Sequence, residues 1–401
     1  MNILFLTLSR MTDISNRGIY TDLLREFVKR GHDIYVVTPF ERRFHRKTHL
    51  SDSEKVHILG IKTLNIQKTN IIEKGVGTIL LEYQYGRAIS KYWGGIQFDL
   101  ILYSTPPITF NRIIRSIKKR TKAKTYLLLK DIFPQNAIDL GILSKCSPFY
   151  RFFRHKERLL YQLSDYIGCM SPANIEYVLK HNAEVPEVKV EICPNSIELL
   201  PDKIAINRDT VLKKHGIPTD RILFIYGGNL GKPQGIDFLI KVLDYNAERK
   251  DCFFCIVGSG TERKLLQEWY SMRKPRNVLI KEVLPKLEYD QLVKSADVGM
   301  IFLDRRFTIP NFPSRLLSYL EAKLPILLAT DINTDIGRIA ECNKFGLWAE
   351  SGDLIRFNQH LDYLIANVAL RESMGNNGYR FLQKNYTVDK TADIILSHST
   401  K

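Results

Sequence analysis

RILFIYGGNLGKPQGIDFLIK, residues 221–241, is the stretch that decides the fold. Its first part, Arg221–Tyr226, is a short apolar run typical of a strand, and Gly227–Gly235 holds four glycines and a proline. From Ile236 onward, apolar residues recur at helical spacing. The stretch therefore predicts a strand, a tight turn and a helix. Glycines in such a turn let main-chain N–H groups approach an anion at the helix N-terminus, although an ordinary turn without a ligand has the same pattern.

The same alternation of strands and helices extends through both halves of the chain. Strands are predicted in the first half at 2–7, 32–39, 56–61, 100–103, 124–129 and 166–170, and in the second at 222–226, 253–258, 278–280, 298–302 and 325–329. This order predicts an α/β fold with a doubly wound sheet in each half. We place a first domain at 1–197, a polar connector at 198–220 and a second domain at 221–386.

Composition and charge narrow the class of protein. The 401 residues are 44% hydrophobic and 25% charged, which is typical of a globular protein. The start of the chain predicts no signal peptide, and no apolar run approaches the ~20 residues that cross a bilayer. We therefore expect a cytoplasmic or peripheral protein. The first 200 residues carry 30 Lys and Arg against 19 Asp and Glu, which indicates a polyanionic partner such as nucleic acid, an anionic membrane or a phosphorylated acceptor.

The six cysteines do not predict a disulfide framework or a metal site. Cys252 and Cys255 form a CxxC pair, but they lie within a run of β-branched and aromatic residues. On a strand, positions three apart face opposite sides, so we expect two buried, inert thiols.

Polar loops follow several predicted strands of the first domain. The loop after the first strand holds Ser15, Asn16, Arg17 and Gly18. Lys130 and Asp131 come directly after an apolar strand. Because ligands of open parallel sheets bind at the carboxyl ends of the strands, these six residues are candidate site residues. The alternative for Lys130 and Asp131 is a solvated pair of opposite charges.

The segment Pro148–Leu163 alternates aromatic and basic residues at helical spacing. We favour a helix that packs its aromatic face on the sheet. The alternative is an interfacial helix at a membrane surface, to which the basic clusters 42–47 and 118–124 would add attraction for anionic lipids.

Five segments occur in an order that resembles a known family. They are ICPN at 192–195, the glycine-rich turn at 227–235, GSG at 258–260, SADVGMIFL at 295–303 and PSRLLSYLEAKLPILLA at 313–329. The succession resembles the retaining, nucleotide-sugar-dependent glycosyltransferases of the large fourth family. Residues 15–39 and 127–143 are similar to its bacterial capsule and O-antigen branch, and within that branch to transferases of fucosamine-type sugars. The resemblance implies the GT-B fold, in which two Rossmann-like domains face each other across a cleft, with the helix at 387–401 returning to the first domain.

The resemblance also implies a donor site in the second domain. The family's diphosphate-binding Arg and Lys fall on Asn229 and Gln234, so we assign the diphosphate to Lys232 and Arg315 instead. The family's ribose-binding Glu falls on Ser318 by register, with Glu321 as the competing choice. The remaining expected donor contacts are the turn at Gly228, the free N–H groups at the helix start Ser314, Arg315 and Leu316, and the base-binding main chain of Glu282, Val283 and Leu284.

The implied chemistry is sugar transfer without a protein nucleophile. A family histidine that touches the donor sugar falls on Lys130, and Asp131 is placed to orient the acceptor hydroxyl. The loop Ser15–Gly18 is assigned to the acceptor. The implied partners are a UDP-sugar and an undecaprenyl-diphosphate-linked sugar at the inner face of the membrane. We expect no metal and no other cofactor, because no Asp-x-Asp pair lies in a suitable loop.

Three other functions fit parts of the sequence. A nucleotide-sugar epimerase shares the two-domain architecture but would need carboxylates and histidines that converge in the cleft. A non-catalytic subunit that binds a nucleotide sugar or a partner enzyme would explain the missing family cations. A nucleic-acid binder would explain the charge, but no nucleic-acid-binding motif is present.

Overall fold

The computed structural model describes residues 1–66, 71–199 and 206–398. The chain divides into two compact units. The first takes the chain up to Glu198 and resumes at Thr387, and the second runs from Leu199 to Tyr386. Each unit is an α/β sandwich around its own sheet.

The first unit is built on an eight-stranded sheet. Its order is β3-β4-β2-β1-β5-β6-β7-β8, and every neighbouring pair is parallel except the antiparallel pair β3 and β4. The strands are β1 Asn2–Leu6, β2 Asp33–Glu41, β3 His49–Asp52, β4 Val56–Thr63, β5 Leu100–Ser104, β6 Lys124–Leu129, β7 Tyr166–Cys169 and β8 Val190–Ile192.

Helices cover both faces of that sheet. They are α1 Ile19–Lys29, α2 Ile71–Trp93, α3 Asn111–Thr121, α4 Gln135–Asp139, α5 Pro148–Leu163 and α6 Pro172–His181. The central strands are mostly apolar because they are buried on both sides, as is typical of parallel sheets.

The second unit has a six-stranded sheet in which all pairs are parallel. Its order is β11-β10-β9-β12-β13-β14. The strands are β9 Ile222–Asn229, β10 Cys252–Ser259, β11 Val278–Lys281, β12 Val298–Phe302, β13 Ile326–Thr330 and β14 Gly346–Glu350. The helices are α7 Arg208–His215, α8 Ile236–Tyr245, α9 Arg263–Arg273, α10 Lys286–Lys294, α11 Arg315–Glu321, α12 Ile336–Cys342, α13 Leu354–Ala366 and α14 Val368–Asn385.

The last helix, α15 Val388–Ser397, belongs to the first unit and packs against α1. Arg30 ties the two helices together, with Nη1 2.6 Å from Oδ1 of Asp393 and Nη2 2.9 Å from the Asp389 carbonyl. Ala392 and Ile395 are fully buried in the core of the first unit. Residues 399–401 of the expected C-terminal segment lie outside the described residues.

The polar connector expected at 198–220 contains a helix, so that expectation was wrong in part. Asn207 caps α7 by accepting a hydrogen bond from the Thr210 N–H at 3.0 Å, and Gly216 ends the helix in the left-handed conformation. Residues 200–205 of the connector lie outside the described residues. Polarity alone concealed the helix because α7 buries only Leu212 and His215.

Candidate active site

The strand order of the second unit locates its ligand site. Counted from β9, the order is 3-2-1-4-5-6, the arrangement of nucleotide-binding doubly wound sheets. The strand order reverses between β9 and β12, and ligands of such sheets bind at that point, beyond the carboxyl ends of the strands. The glycine-rich turn follows β9, and the segment 303–314 follows β12. The predicted turn therefore lies at the topological switch point.

Two glycine-containing strand ends pack directly on each other at this edge. Gly258 on β10 is paired with Gly228 on β9, and a Cβ added to Gly258 would lie 1.9 Å from the Gly228 carbonyl oxygen. A Cβ added to Gly260 would lie 2.3 Å from the carbonyl group of Leu230. Only glycine permits this approach, so both turns are held close to the strand ends.

The turn itself is fixed against the segment after β12. Gly235, at the start of α8, has a positive φ of 56° and lies against the Leu303 carbonyl, which would be 3.0 Å from an added Cβ. The Asp304 N–H donates to the Pro233 carbonyl at 3.0 Å. These contacts join the two sides of the switch point.

The two turn residues that take the place of the family cations are engaged with each other. Nδ2 of Asn229 donates to Oε1 of Gln234 at 2.8 Å. Lys232, between them in sequence, is exposed and forms no ion pair within the described part of the chain. The turn therefore presents one free ammonium group and a neutral amide pair.

Arg315, the first residue of α11, brings a second cation to the turn. Its guanidinium carbon lies 4.3 Å from the centre of the Tyr226 ring, and its Nη2 would be 3.5 Å from a Cβ added to Gly228. Its Nη1 is buried and has no hydrogen-bond partner among the described residues. A buried guanidinium nitrogen without an acceptor is costly, and an anionic ligand would satisfy it.

The other residues at the start of α11 and along it that we expect to bind the donor differ in exposure and in distance from Arg315. The Leu316 N–H donates to the Pro313 carbonyl at 3.2 Å and its side chain is buried, so the expectation that this N–H is free was wrong. Ser314 is exposed at the start of the helix. Ser318 is about 4.5 Å along the helix axis from Arg315, and Glu321 is about 9 Å along it. Ser318 is therefore nearer to Arg315 along the helix, but the ribose contact stays a prediction.

The expected base-binding loop follows β11. Oε1 of Glu282 lies 3.4 Å from Nη1 of Arg263, and the Glu282 side chain is otherwise exposed. Val283 is exposed and Leu284 is half-buried, so both side chains are available beside the main chain of this loop. Their contact with a base stays a prediction.

The first loop of the first unit is folded around a carboxylate that the sequence analysis did not single out. Oδ1 of Asp13 accepts from the Ser15 N–H at 2.9 Å, from the Ser15 hydroxyl at 2.5 Å and from Nδ2 of Asn16 at 3.5 Å. The Ser15 hydroxyl, together with the Ser15 N–H, lowers the pKa of Asp13. Arg17 donates from Nη2 to the Glu198 carbonyl at 2.6 Å, and the Gly18 N–H donates to Oδ1 of Asp22 at 2.9 Å. These bonds organise the loop internally, and its role toward an acceptor stays a prediction.

Lys130 and Asp131 do not form a solvated pair. Nζ of Lys130 donates to the Cys193 carbonyl at 3.3 Å, and burial lowers the pKa of Lys130 to about 8. Both carboxylate oxygens of Asp131 lie 2.8 Å from Nδ2 of Asn136. The Lys130 and Asp131 N–H groups both donate to the Thr105 hydroxyl. The two side chains are therefore held by separate partners.

A small pocket adjoins Lys130, and it is lined by residues that the sequence analysis missed. Its polar lining includes Tyr20, Asn195, Ser196 and Thr391. Oδ1 of Asn195 is buried and has no partner among the described residues. The only sequence signal for Asn195 was its place in the ICPN motif, from which its position in the pocket beside Lys130 could not be foreseen.

The helix α5 has the predicted bounds, but its aromatic residues are not all packed on the sheet. Phe149 is 65% exposed and Phe152 is 40% exposed, so the favoured interpretation was wrong for these two.

A longer apolar stripe on α2 was not foreseen. It consists of Val76, Ile79, Leu80 and Tyr83, which are 41–66% exposed and lie at helical spacing on one face.

The basic clusters of the first unit are only partly available to a partner. Lys118 pairs with Asp165 at 2.7 Å, and Arg120 donates to the carbonyls of Gly94 and Ile96. Arg42 and Arg43 pair with Glu73 and Glu41. Lys119 and Lys122 are exposed.

Within the described ranges, no helix is long and apolar enough to span a bilayer, and no group of three or more metal-ligating side chains occurs.

Comparison with known proteins identifies the class. Residues 207–381, most of the second unit, match the family model of glycosyl transferases group 1. The chain is a glycosyltransferase with the GT-B fold, as the sequence predicted.

Individual relatives are distant. The chain is 22% identical over 327 residues to the probable glycosyltransferase WbjE of Pseudomonas aeruginosa, covering 80% of this chain and 78% of that one. It is 24% identical over 136 residues to the putative colanic acid biosynthesis glycosyl transferase WcaI of Escherichia coli, about a third of each chain. Among solved structures, WaaG, a glycosyltransferase involved in lipopolysaccharide biosynthesis, gives a TM-score of 0.68 at 15% identity over 98% of this chain and 99% of that one. Anabaena HepE in complex with UDP gives 0.68 at 13% identity over 99% of each.

The free ammonium group of Lys232 leads to a prediction about nucleotide binding. We expect Lys232→Ala to weaken UDP binding about tenfold, because a charge-assisted hydrogen bond to phosphate is worth roughly 1.5–3 kcal/mol and this side chain is exposed. Adding Gln234→Lys to that variant should restore part of the loss. Isothermal titration with UDP measures both effects, and a Lys232→Ala variant that binds like the wild type would remove Lys232 from the site.

Proposed function

We propose that this glycosyltransferase moves an N-acetylated 6-deoxyhexosamine, such as FucNAc, from a UDP-sugar to an undecaprenyl-diphosphate-linked acceptor. The transfer would retain the anomeric configuration and would serve the biosynthesis of a capsular polysaccharide or O-antigen. The names of WcaI and WaaG support a surface polysaccharide or lipopolysaccharide as the product class, and the UDP complex of HepE supports the nucleotide. The resemblance to fucosamine-type transferases supports the sugar.

One observation carries the donor assignment. Arg315 places a guanidinium group, with one nitrogen buried and unpartnered, beside the glycine turn at the switch point of the second sheet. Together with Lys232, it supplies two positive charges where a diphosphate would lie. A βα turn at this point of a doubly wound sheet is where such folds bind the pyrophosphate of a nucleotide.

The proposed chemistry is electrostatic. Negative charge grows on the departing UDP while the anomeric carbon acquires oxocarbenium character, and preorganised cations beside the diphosphate stabilise that charge separation. Arg315 is preorganised by its packing on Tyr226. No protein nucleophile is assigned. The acceptor hydroxyl attacks on the face that UDP leaves, the bond between the anomeric carbon and the diphosphate oxygen breaks, and that departing oxygen takes up the hydroxyl proton.

Residues of the first unit would act on the sugar and on the acceptor. Burial brings the pKa of Lys130 to about 8, so at neutral pH its side chain is mostly an ammonium group that can donate to a sugar hydroxyl. Asp131 would orient the acceptor hydroxyl through its carboxylate. Asp13 holds Ser15 and Asn16 in the loop that we assign to the acceptor.

A panel assay tests the proposal. The protein is incubated with a panel of UDP-linked N-acetylated sugars that includes UDP-FucNAc, and with a polyprenyl-diphosphate-linked sugar as acceptor. Mass spectrometry then measures the masses of the lipid products. The proposal predicts a mass gain of one N-acetylated 6-deoxyhexosamine residue and release of UDP. Transfer of a different sugar would overturn the donor assignment, and transfer to a free sugar alone would overturn the acceptor.

The proposed cations lead to a prediction about metal dependence. Because Lys232 and Arg315 supply the positive charge beside the turn, we expect transfer to continue at an unchanged rate in excess EDTA. The rate of UDP release with and without chelator is the measurement. Loss of turnover that magnesium or manganese restores would mean that a divalent cation holds the diphosphate.

The exposed stripe of α2 leads to a prediction about the membrane. We propose peripheral association with the inner face of the membrane through this stripe, Phe149 and Phe152, with Lys119 and Lys122 attracting anionic lipid. The double variant Ile79→Ser with Tyr83→Ser should bind anionic vesicles at least tenfold more weakly, since burial of each large apolar side chain is worth about 1.5–3 kcal/mol. Co-sedimentation with vesicles measures it.

The control for the membrane prediction lies in the second unit. Tyr363 is 52% exposed on α13, and Tyr363→Ser should leave vesicle binding unchanged. Wild-type protein that does not sediment with anionic vesicles at low salt would contradict peripheral association. Variants of Lys118 or Arg120 are unsuitable, because both side chains hold the first unit together.

A further inference from the structure

We propose that Tyr226 is the positioning residue of the donor site, and that it acts by holding Arg315 in place for the diphosphate. The inference rests on the proposed UDP-sugar function of this site. It concerns how one side chain couples the glycine turn to the cation on α11.

The ring of Tyr226 provides a platform for the guanidinium group. Tyr226 lies in the middle of β9 and is fully buried, and the guanidinium carbon of Arg315 lies 4.3 Å from the centre of its ring. A planar guanidinium over an aromatic face is held by cation–π attraction while its N–H groups, which lie in the guanidinium plane, stay available to a ligand. The unpartnered Nη1 of Arg315 is consistent with that arrangement.

The hydroxyl of the same side chain fixes the turn. It donates to the Asn229 carbonyl at 2.7 Å. Asn229 in turn bonds Gln234 across the turn at 2.8 Å. One tyrosine therefore sets both the path of the glycine turn and the position of the cation beside it.

Two more tyrosines enclose this arrangement from the other side of β9. The Tyr319 hydroxyl accepts from the Gly227 N–H at 3.0 Å and donates to the Ile225 carbonyl at 3.3 Å. Burial raises the pKa of Tyr319 to about 12, so this hydroxyl keeps its proton. The Tyr289 hydroxyl covers Gly227, where an added Cβ would lie only 1.8 Å from it. Within the described residues, no carboxylate forms an ion pair with Arg315, so its charge is left for a ligand.

The charge of Arg315 is therefore not sufficient on this account, because its planar shape is needed as well. A lysine at 315 would keep the charge but lose the stacking on Tyr226. A leucine at 226 would keep an apolar side chain but lose the platform. Phenylalanine at 226 keeps the platform and removes the hydroxyl, with its bond to Asn229.

The test is isothermal titration of UDP and of uridine into wild type and variants. We expect Arg315→Lys and Tyr226→Leu each to bind UDP more weakly, by about two- to thirtyfold, the range for cation–π contacts. Uridine affinity should not change, and Tyr226→Phe should bind UDP within about threefold of wild type. In an Arg315→Ala background, Tyr226→Leu should weaken UDP binding by no more than about threefold, the loss allowed for the bond to Asn229, because the ring acts through Arg315.

Three results would overturn the inference. Arg315→Lys with wild-type UDP affinity would show that the planar group is not used, and this variant is informative even if Tyr226→Leu fails to fold. Additive losses in the double variant, or a Tyr226→Phe loss as large as that of Tyr226→Leu, would show that the ring does not act through Arg315. Wild-type protein that binds no UDP would instead overturn the proposed function on which the inference rests.

Discussion

Replacing Arg315 by alanine is expected to abolish sugar transfer and to weaken UDP binding by about ten- to a hundredfold. The reason is the environment of its guanidinium group, which has a buried, unpartnered nitrogen and lies next to Gly228. A charged hydrogen bond to phosphate in such a place is worth roughly 1.5–3 kcal/mol. Turnover should fall further than affinity, because the charge on the departing diphosphate grows in the transition state.

The control for that variant is an arginine at the amino end of a strand of the same sheet. Arg276 precedes β11, is exposed and forms no ion pair within the described residues, so Arg276→Ala should transfer and bind as the wild type does. UDP release under saturating donor and acceptor is the readout for both variants. If Arg315→Ala kept wild-type turnover, the diphosphate would lie elsewhere.

The second large effect is expected at Gly258. A methyl group there would lie 1.9 Å from the Gly228 carbonyl oxygen. That oxygen belongs to the backbone, so it cannot rotate away as a side chain could. Gly258→Ala must therefore push the ends of β9 and β10 apart, which removes the shape of the turn. We expect UDP binding to fall by more than a hundredfold, with a loss of about 1–3 kcal/mol in the free energy of unfolding, the usual cost of overpacking.

Gly95→Ala is the matched control for Gly258→Ala. It lies after α2, has no positive φ and would meet nothing within 4 Å if it carried a Cβ, so Gly95→Ala should leave stability and UDP binding unchanged. Chemical denaturation followed by UDP titration separates the two effects of Gly258→Ala. A Gly258→Ala variant as stable and as tightly binding as wild type would mean that the close approach of β9 and β10 does not shape the site.

The sequence predicted the fold well where strands are buried on both faces. Runs such as 222–226 and 253–258 are continuously apolar because helices cover both sides of the sheet, and their bounds agree with β9 and β10 within a few residues. The strand β3 was missed because it is a short, exposed, antiparallel edge of polar residues. The helix α7 was missed because it buries only two side chains.

The candidate site was predictable only in part, for a similar reason. A turn of four glycines after an apolar strand is a local pattern, and so was visible in residues 221–241. The contact between Tyr226 and Arg315 joins residues 89 positions apart, and the pocket beside Lys130 brings Asn195 to it across 65 positions. Such pairings depend on how strands and helices pack, which no single stretch of sequence encodes.

The measurement that tests the central claim most directly compares UDP with uridine. If Arg315 holds the diphosphate beside the glycine turn, wild-type protein should bind UDP at least tenfold more tightly than uridine. In Arg315→Ala most of that difference should vanish while uridine affinity stays the same. Isothermal titration of both ligands into both proteins gives the four affinities. A preference for UDP that survives unchanged in Arg315→Ala would contradict the account.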